Sequence, residues 1–322
     1  MTTVTHEPAA PEPSLESSGI RLGDALFRGV AVAAAAATTA LLGLIAYQVV
    51  EQAWPAIEHF GLSFVWTEAW DPVKDNYGAL TFVYGTVVTS VIALLLATPL
   101  SIAIALFLTE IAPRRIAAPI ATMVELLAAI PSVVLGLWGI LVFGPWVAAH
   151  LEPWIEGGLG FIPIFGDSFY QAGMLPAALV LTIMIVPITS AICRELFART
   201  PRDLMDGALA LGSTRWEAIR GVMFAYAAPG IAAAVLLGLG RAFGEAIAVA
   251  QVIGGSDDIN ISLFAPADTL GSRIASQYQG ATTPLQQGSL LYLGAILMVI
   301  SLVTNVAAQF IVRRFEKQRR AV

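Results

Sequence analysis

Residues 81–109 read TFVYGTVVTSVIALLLATPLSIAIALFLT, an apolar run without a charged side chain. A helix crosses the roughly 30 Å hydrocarbon layer of a bilayer with about 20 residues, so this run is long enough to span a membrane. Five further apolar runs share the pattern, at residues 30–50, 116–149, 173–193, 227–253 and 288–312. The sequence therefore predicts an all-α polytopic membrane protein with six transmembrane helices.

The composition agrees with this interpretation. The chain is 57% hydrophobic and only 12% charged, whereas an ordinary soluble domain is about 25% charged. The single cysteine, Cys193, cannot form an internal disulfide, and the three histidines form no cluster with metal-ligand spacing. We therefore expect a membrane protein without a metal site and without a nucleic-acid partner.

The third apolar run is too long for one straight helix. It contains Pro119, Pro131 and Pro145 as well as three glycines between residues 136 and 144. Proline and glycine interrupt or kink membrane helices. We expect a broken element here, of more than one helix.

Charge predicts the orientation of the chain. Most of the 17 Lys and Arg residues fall on one side of the six runs. They are Arg21, Arg28, Arg114, Arg115, Arg194, Arg199, Arg202, Arg215, Arg220, Arg313, Arg314, Lys317, Arg319 and Arg320. The opposite loops hold only Lys74 and Arg273, so the positive-inside rule places both termini in the cytoplasm.

Three segments follow from this layout. Residues 1–24, rich in Pro, Glu, Ser and Thr at their start, are predicted to be a disordered cytoplasmic tail. Residues 25–312 form the transmembrane domain and include a cytoplasmic loop at residues 194–228. Residues 313–322 form a basic cytoplasmic tail.

The loop at residues 194–228 predicts a short projecting helix. Thr200-Pro201-Arg202-Asp203 offers an N-cap, a proline for the first helical position and an acid for the third, and Gly212 supplies a stop. An apolar stripe at i, i+4 and i+7 consists of Leu204, Ala208 and Leu211. Thr214-Arg215-Trp216-Glu217 matches a capping box and begins a second helix. The stripe fits either a helix on the membrane surface or one that docks on a partner protein.

A charged pair lies inside the fifth run. Arg241 and Glu245 are spaced by one helical turn, so they are predicted to project from one face. Each charge inside a membrane costs at least about 2.5 to 3.5 kcal/mol, so the pair serves either as a structural ion pair or as part of an ion pathway. Gly240 and Gly244 form a small-xxx-small pair, suited to packing within the chain or against a second subunit. Thr86 and Thr89 in the second run are further candidates for the pathway, through their hydroxyl groups.

Several segments resemble known transport proteins. Asp206-Gly207-Ala208, three residues and then Gly212 are similar to the coupling loop of bacterial ABC importer permeases, Glu-Ala-Ala, three residues and Gly. Asp206-Gly207 stands where that family has Glu-Ala, and Phe224-Ala225 stands where it usually has Leu-Pro. Three further groups of segments, in family order, resemble the PstC-type permease subunits of phosphate importers. They are Trp70-Asp71-Pro72 with Tyr77-Gly78-Ala79-Leu80 and Tyr84-Gly85-Thr86, then Ala129 to Val134 with Gly136-Leu137-Trp138-Gly139, and Gly240-Arg241-Ala242-Phe243-Gly244-Glu245.

The resemblance implies a fold, a location and partners. The fold would be the six-helix type I ABC importer permease (MetI-like) fold, in a bacterial plasma membrane. The partners would be a PstA-type second permease, two copies of a PstB-type ATPase and an external PstS-type phosphate-binding protein. In this assembly Leu204, Asp206, Gly207, Ala208, Leu211 and Gly212 would contact the ATPase.

ATP hydrolysis is not expected in this chain. A Walker A loop needs Gly-Lys-Ser or Gly-Lys-Thr, and the two lysines, Lys74 and Lys317, are followed by Asp75 and Gln318. The chain is thus predicted to be no enzyme and to hold no cofactor, with ATP and Mg²⁺ bound by the ATPase.

The charged pair also predicts which anion passes. A guanidinium can hold two oxygens of an oxyanion, and a carboxylate can accept the proton that phosphate carries at neutral pH but sulfate lacks. The leading hypothesis is half of the translocation pathway of an ATP-driven phosphate importer. A sulfate or molybdate ABC permease and an ATPase-independent secondary anion transporter are the alternatives.

Overall fold

The computed structural model describes residues 18–166 and 168–319, which are almost entirely helical. In chain order the elements are α1 Ser18–Phe60, β1 Trp70–Asp71, β2 Asn76–Tyr77, α2 Leu80–Leu106, α3 Arg114–Ala129, α4 Ser132–Trp138, α5 Gly144–Trp146, α6 Glu152–Leu159, α7 Met174–Ala198, α8 Arg202–Ala210, α9 Arg215–Ala218, α10 Phe224–Gly244, α11 Ile247–Val252, α12 Leu270–Gln277 and α13 Pro284–Arg319. Single π-helical turns lie at Phe107–Ile111, Gly139–Phe143, Val147–Leu151 and Ile219–Met223.

Within the described part of the chain, six helical stretches are long and apolar enough to cross a membrane, as the sequence predicts. They are Gly23–Val65, Leu80–Ile111, Ser132–Leu159, Met174–Ala198, Arg215–Gly244 and Pro284–Ala307. We refer to them as spans one to six. The side of the bundle that carries α8 is called the α8 side, and the side that carries the antiparallel β1–β2 hairpin is called the hairpin side.

The chain divides into two units, residues 1–48 and 49–322. Within the first unit, the described part of α1 presents mostly exposed apolar side chains, such as Leu42 with 63% of its surface accessible. Within the second unit, α7 lies at the centre of the packing. The helical bundle of the second unit positions the candidate site.

Span two packs closely against α7 through a stripe of small side chains. The stripe repeats every fourth residue and consists of Ala93, Ala97, Ser101 and Ala105, all fully buried. Side chains four apart lie on one helix face, and small side chains let two helices approach. The Thr182 hydroxyl of α7 donates to Ala178 O at 2.8 Å and lies 3.4 Å from Ala93 O across the contact. The stripe therefore fixes how spans two and four lie against each other.

The long third run is broken, as its prolines predict. Ile130 has an extended backbone (ψ 126°) before Pro131, and the run divides there into α3 and span three. A residue before proline is pushed out of the helical region by steric conflict with the proline ring. Helix α3 is thus a separate helix.

The predicted terminal segments only partly overlap the described residues. Residues 1–17 and 320–322 lie outside them. Helix α1 begins at Ser18, six residues before the predicted end of the tail, and α13 continues to Arg319 through most of the predicted basic tail.

Candidate functional site

The fifth run is not one continuous helix, which corrects the sequence prediction. Helix α10 ends at Gly244, Glu245 has an extended backbone (φ −79°, ψ 114°), and α11 begins at Ile247. The predicted i,i+4 relation of Arg241 and Glu245 on one helix face is therefore wrong. No salt bridge joins the two side chains within the described ranges.

Packing of α11 explains the break. Ala248 and Val252 are fully buried, and α11 lies against α4 and α7. A Cβ atom on Gly136 of α4 would meet the Ala248 Cα at 2.8 Å, so only glycine permits this approach. The Glu245 carboxylate accepts a hydrogen bond from the Ala248 amide at 3.3 Å. Glu245 thus caps α11 with one oxygen.

Arg241 has a different environment. It lies in the last turn of α10 and is exposed, and its guanidinium has no hydrogen-bond or ion-pair partner among residues 18–166 and 168–319. The neighbouring glycines are open as well: a Cβ added to Gly240 or Gly244 would meet nothing within 4 Å. In contrast, a Cβ on Gly238, on another face of α10, would meet Ile185 at 2.9 Å. The Gly240–Gly244 face therefore has no packing partner in the described part of this chain.

Thr86 and Thr89 lie inside the fold. Both are buried, and their hydroxyls donate to the carbonyls of Phe82 at 2.7 Å and Gly85 at 2.6 Å. The Thr86 oxygen also accepts from the Leu270 amide at 2.9 Å. The bond to Leu270 gives Thr86 a structural role. Contact of Thr86 or Thr89 with a transported ion stays a prediction.

That role extends to three consecutive residues of span two. The Tyr84 hydroxyl donates to Asn260 O at 3.0 Å, and a Cβ on Gly85 would lie 2.0 Å from Asp268 O. Together with the Thr86–Leu270 bond, these contacts hold the connecting loop, residues 253–269, against span two. The Tyr84-Gly85-Thr86 motif thus contacts this loop and fixes its position on the hairpin side.

A buried ion pair stabilises the same region. In the sequence its arginine, Arg273, served only as one of the loop charges that predict the orientation of the chain. Arg273 of α12 is 3% exposed, its Nε lies 2.8 Å from Asp268 Oδ2, and its guanidinium also contacts Asp257. It lies over the Phe82 ring, 4.5 Å from the centroid. Burial raises the pKa of the Asp268 carboxyl above its ordinary value, and the Arg273 charge opposes that shift. The feature of the sequence that could have indicated this pair is the Thr269–Ser272 capping box, because it begins α12 between Asp268 and Arg273.

The hairpin joins this cluster through Trp70. Its indole Nε1 donates to Gln277 Oε1 at 3.0 Å, and its ring meets Phe82 edge-on with centroids 5.1 Å apart. The ring of Tyr77 of β2 also meets Trp70 edge-on, with centroids 5.0 Å apart. The hairpin that carries Trp70 and Tyr77 is therefore packed against α12 and span two.

The projecting helix on the α8 side is present. It begins at Arg202, one residue later than predicted, with Pro201 in the N-cap position and without a side-chain cap. The Thr200 hydroxyl, predicted to cap it, lies 3.5 Å from Leu196 O at the end of α7 instead. Gly212 has φ +90°, and the amides of Gly212 and Ser213 donate to Leu209 O and Ala208 O. This is a Schellman ending, which favours glycine because of its left-handed backbone.

The apolar stripe of α8 remains largely uncovered. Leu204 is 50% and Leu211 is 91% exposed, Asp206 and Gly207 are exposed, and Ala208 is partly buried. The helix after the glycine turn begins with the predicted capping box, in which Thr214 N donates to Glu217 Oε2 at 2.7 Å. The fold therefore presents an apolar surface away from its own core.

Among residues 18–166 and 168–319 there is no group of three or more His, Cys, Asp or Glu side chains that could hold a metal ion. The candidate site therefore consists of the exposed Arg241, the capping Glu245 and the projecting helix α8.

Comparison with known proteins places these features in a family. Residues 97–317 match the family model described as "Binding-protein-dependent transport system inner membrane component". The phosphate transport system permease protein PstC of Mesorhizobium japonicum is 41% identical over 299 residues, 92% of this chain and 91% of that protein. PstC 1 of Mycobacterium tuberculosis is 41% identical over 82% of this chain and 80% of its own length.

Solved structures support the fold. A chain of a bacterial alginate ABC transporter in complex with its periplasmic protein superposes with a TM-score of 0.61, at 17% identity, over 91% of this chain and 98% of that chain. A chain of the MetNI methionine ABC transporter in an inward-facing conformation gives 0.54, at 18% identity, over 73% and 94%. The fold is thus that of type I ABC importer permeases. The chain belongs to the inner-membrane components of binding-protein-dependent transport systems and, within them, to the PstC-type permease subunits.

Proposed function

We propose that this chain is the PstC-type permease subunit of an ATP-driven importer of inorganic phosphate. It forms half of the translocation pathway in a bacterial plasma membrane, with both termini in the cytoplasm. Its partners are a PstA-type permease, a PstB-type ATPase dimer that binds ATP and Mg²⁺, and a PstS-type external phosphate-binding protein. The relatives that are 41% identical over most of both chains carry the name of a phosphate permease, which supports the choice of substrate.

One observation carries the proposed pathway: Arg241 is exposed and has no partner in the described chain, yet it lies in span five. A charge inside a membrane is costly unless another charge or water accompanies it. The open Gly240–Gly244 face allows a second helix to approach closely beside Arg241. We place the second permease on this face and the anion beside Arg241, at the seam between the two subunits.

We assign the preference for phosphate over sulfate to Arg241 together with Glu245, which follows the end of α10 four residues later in the chain. The Arg241 fork binds two oxygens of the anion, as arginine does with oxyanions generally. One Glu245 oxygen is held by the Ala248 amide at 3.3 Å, while the other makes no hydrogen bond within the described residues. That free oxygen accepts the proton of hydrogen phosphate and repels sulfate, which has none to donate at neutral pH.

Coupling to ATP hydrolysis runs through α8. Its stripe of Leu204, Ala208 and Leu211 docks in a groove of the ATPase, while the flanking Asp206, Gly207 and Gly212 shape the contact. An amphipathic helix laid into a groove of a partner is a common mode of recognition. Burying the Leu211 side chain supplies about 1.5 to 3 kcal/mol, and burying the half-exposed Leu204 supplies about half of that.

The experiment is phosphate uptake by the complete complex in proteoliposomes, with ATP enclosed or omitted. We expect ATP-dependent uptake that excess sulfate or molybdate does not inhibit, and no uptake by this chain alone. Arg241→Ala should abolish uptake, whereas Arg199→Ala, an exposed arginine on the α8 side, should not. Inhibition by sulfate or molybdate would favour an ABC permease for those anions, and uptake by the isolated chain would favour a secondary transporter.

A further inference from the structure

The end of span two carries a contact that the pathway and the docking stripe do not use. Arg215, the first residue of α9, directs its guanidinium to Glu110, which lies in the π-helical turn at the end of span two. It donates to the Glu110 backbone carbonyl and also lies 3.3 Å from the carboxylate Oε2. The last carbonyls of a helix lack partners within the helix and favour a positive charge. Arg215 therefore caps span two from a different element.

The position of Arg215 is tightly coupled to α8. The Schellman turn at Gly212 and the Thr214–Glu217 capping box leave few freely rotating residues between α8 and α9. Any displacement of α8 must therefore carry Arg215 with it.

A wide opening separates part of α8 from the end of span two. A cleft of about 760 Å³ lies between them, lined on one side by Met205, Asp206 and Leu209 and on the other by Leu108 and Thr109. Glu110 and Arg215 line the same cleft. The cleft gives α8 room to move, and the Arg215–Glu110 contact bridges it.

The contact is too exposed to matter much for folding. The Arg215 side chain is 67% and the Glu110 side chain 23% exposed. Exposed ion pairs contribute about 0 to 1 kcal/mol to stability. A pair of this kind can therefore be lost without unfolding the protein, although it joins two elements that are distant in the sequence.

We infer that Arg215 and Glu110 are a positioning pair that transmits displacement of α8 to span two, and through span two to the connecting loop. The other end of span two holds that loop through Tyr84, Gly85 and Thr86, so one helix joins the α8 side to the hairpin side. This inference rests on the proposed function, because it assumes that an ATPase moves α8.

The first test measures phosphate imported per ATP hydrolysed by the complete complex. Arg215→Gln and Glu110→Gln should lower this ratio at least about fivefold, the lower end of the range for coupling between sites, while ATP hydrolysis continues. The double charge reversal Glu110→Arg with Arg215→Glu should recover part of the ratio. Arg199→Gln is the matched control, since Arg199 pairs with Glu195 at the end of α7 and the variant should stay near the wild-type ratio. A ratio for Arg215→Gln equal to that of Arg199→Gln overturns the inference.

The second test does not depend on which solute is moved. Spin labels are placed at Ile111 and at Asp203 of α8, which are both exposed and lie outside the docking stripe, after Cys193 is replaced by alanine. The distance between labels is measured by pulsed electron paramagnetic resonance in the complete complex, without nucleotide and with ATP and vanadate. We expect the distance to be kept between the two states when Arg215 is present and to shift in Arg215→Gln. If the complexes with Arg215 and with Arg215→Gln give the same distances, the inference is refuted. This outcome can be distinguished from failure of the proposed function, because it does not depend on the phosphate assay.

Discussion

Replacing Gly85 by alanine is the most direct test of how the hairpin side is assembled. The added Cβ would lie 2.0 Å from Asp268 O and 3.0 Å from Asp268 C, which are main-chain atoms that cannot rotate away. Ordinary carbon–oxygen contacts begin near about 3.4 Å, so span two and the connecting loop would have to separate by more than about 1 Å. The adjacent hydrogen bond from Leu270 N to Thr86 Oγ1, now 2.9 Å long, would then be lost.

The expected magnitude follows from three contributions. Overpacking costs about 1 to 3 kcal/mol. A buried amide left without its acceptor costs about 1 to 3 kcal/mol. Alanine recovers about 1 kcal/mol because it favours a helix more than glycine does. The net loss is about 1 to 5 kcal/mol, equivalent to a fall in Tm of about 2 to 20 °C at the usual 2 to 4 °C per kcal/mol.

The assay is thermal unfolding of the purified chain in detergent at one fixed scan rate, because membrane proteins often unfold irreversibly. Gly43→Ala is the matched control: it lies in α1, where a Cβ meets nothing within 4 Å, and its Tm should stay the same or rise slightly. Hydrogen exchange adds a local readout, since the Leu270 amide should lose protection only in Gly85→Ala. A Gly85→Ala protein with the Tm of the control would refute the reasoning.

Three further outcomes are expected. Gly240→Leu should leave the Tm of the isolated chain unchanged, because a Cβ added at this position meets no atom within 4 Å. The same variant should abolish co-purification with the second permease. A large fall in Tm would contradict this prediction. Leu211→Asp should remove ATPase binding in a pull-down, whereas Val73→Asp, at an equally exposed position on the hairpin side, should not. The raised pKa of Asp268 means that the folded state holds this proton more tightly than the unfolded state, so the free energy of unfolding should fall as pH rises from about 3.8 through the folded pKa. Asp268→Asn should flatten that slope in unfolding measured across pH, and an unchanged slope would speak against the burial of this carboxyl.

The number of spans could be predicted because it depends on local chemistry. Apolar length predicts six spans, and the described residues contain six helical stretches of sufficient length and hydropathy. The glycine stop at Gly212 and the capping box at Thr214 are properties of a few adjacent residues, and both have the expected hydrogen bonds. The start of α8 differed by one residue, because Thr200 turns to the preceding helix.

The break in the helix after Gly244 could not be predicted from the local sequence. The run at residues 227–253 has no proline after Pro229, and its hydropathy continues past Glu245. The chain breaks because α11 packs where α4 offers Gly136, more than one hundred residues earlier. The spacing of Arg241 and Glu245 was therefore interpreted as one helix face, whereas tertiary packing gives each residue its own environment.

Thr86 illustrates the same difficulty for a single side chain. A hydroxyl in a membrane span is as compatible with ion contact as with support of a neighbouring segment, and sequence alone did not separate the two. Its hydrogen bond with Leu270 joins residues that are 184 positions apart. Long-range pairs of this kind depend on the packed fold.

The way in which span two holds the connecting loop bears on protein engineering. Its contacts reach Asn260 O, Asp268 O and Leu270 N, which are main-chain atoms present whatever side chain is attached. Asp258 and Ile261, both exposed, lie on either side of the first of these anchor points, Asn260. Fluorophores could be attached at these two positions, because contacts made to peptide groups tolerate a change of amino acid as long as the backbone path is preserved.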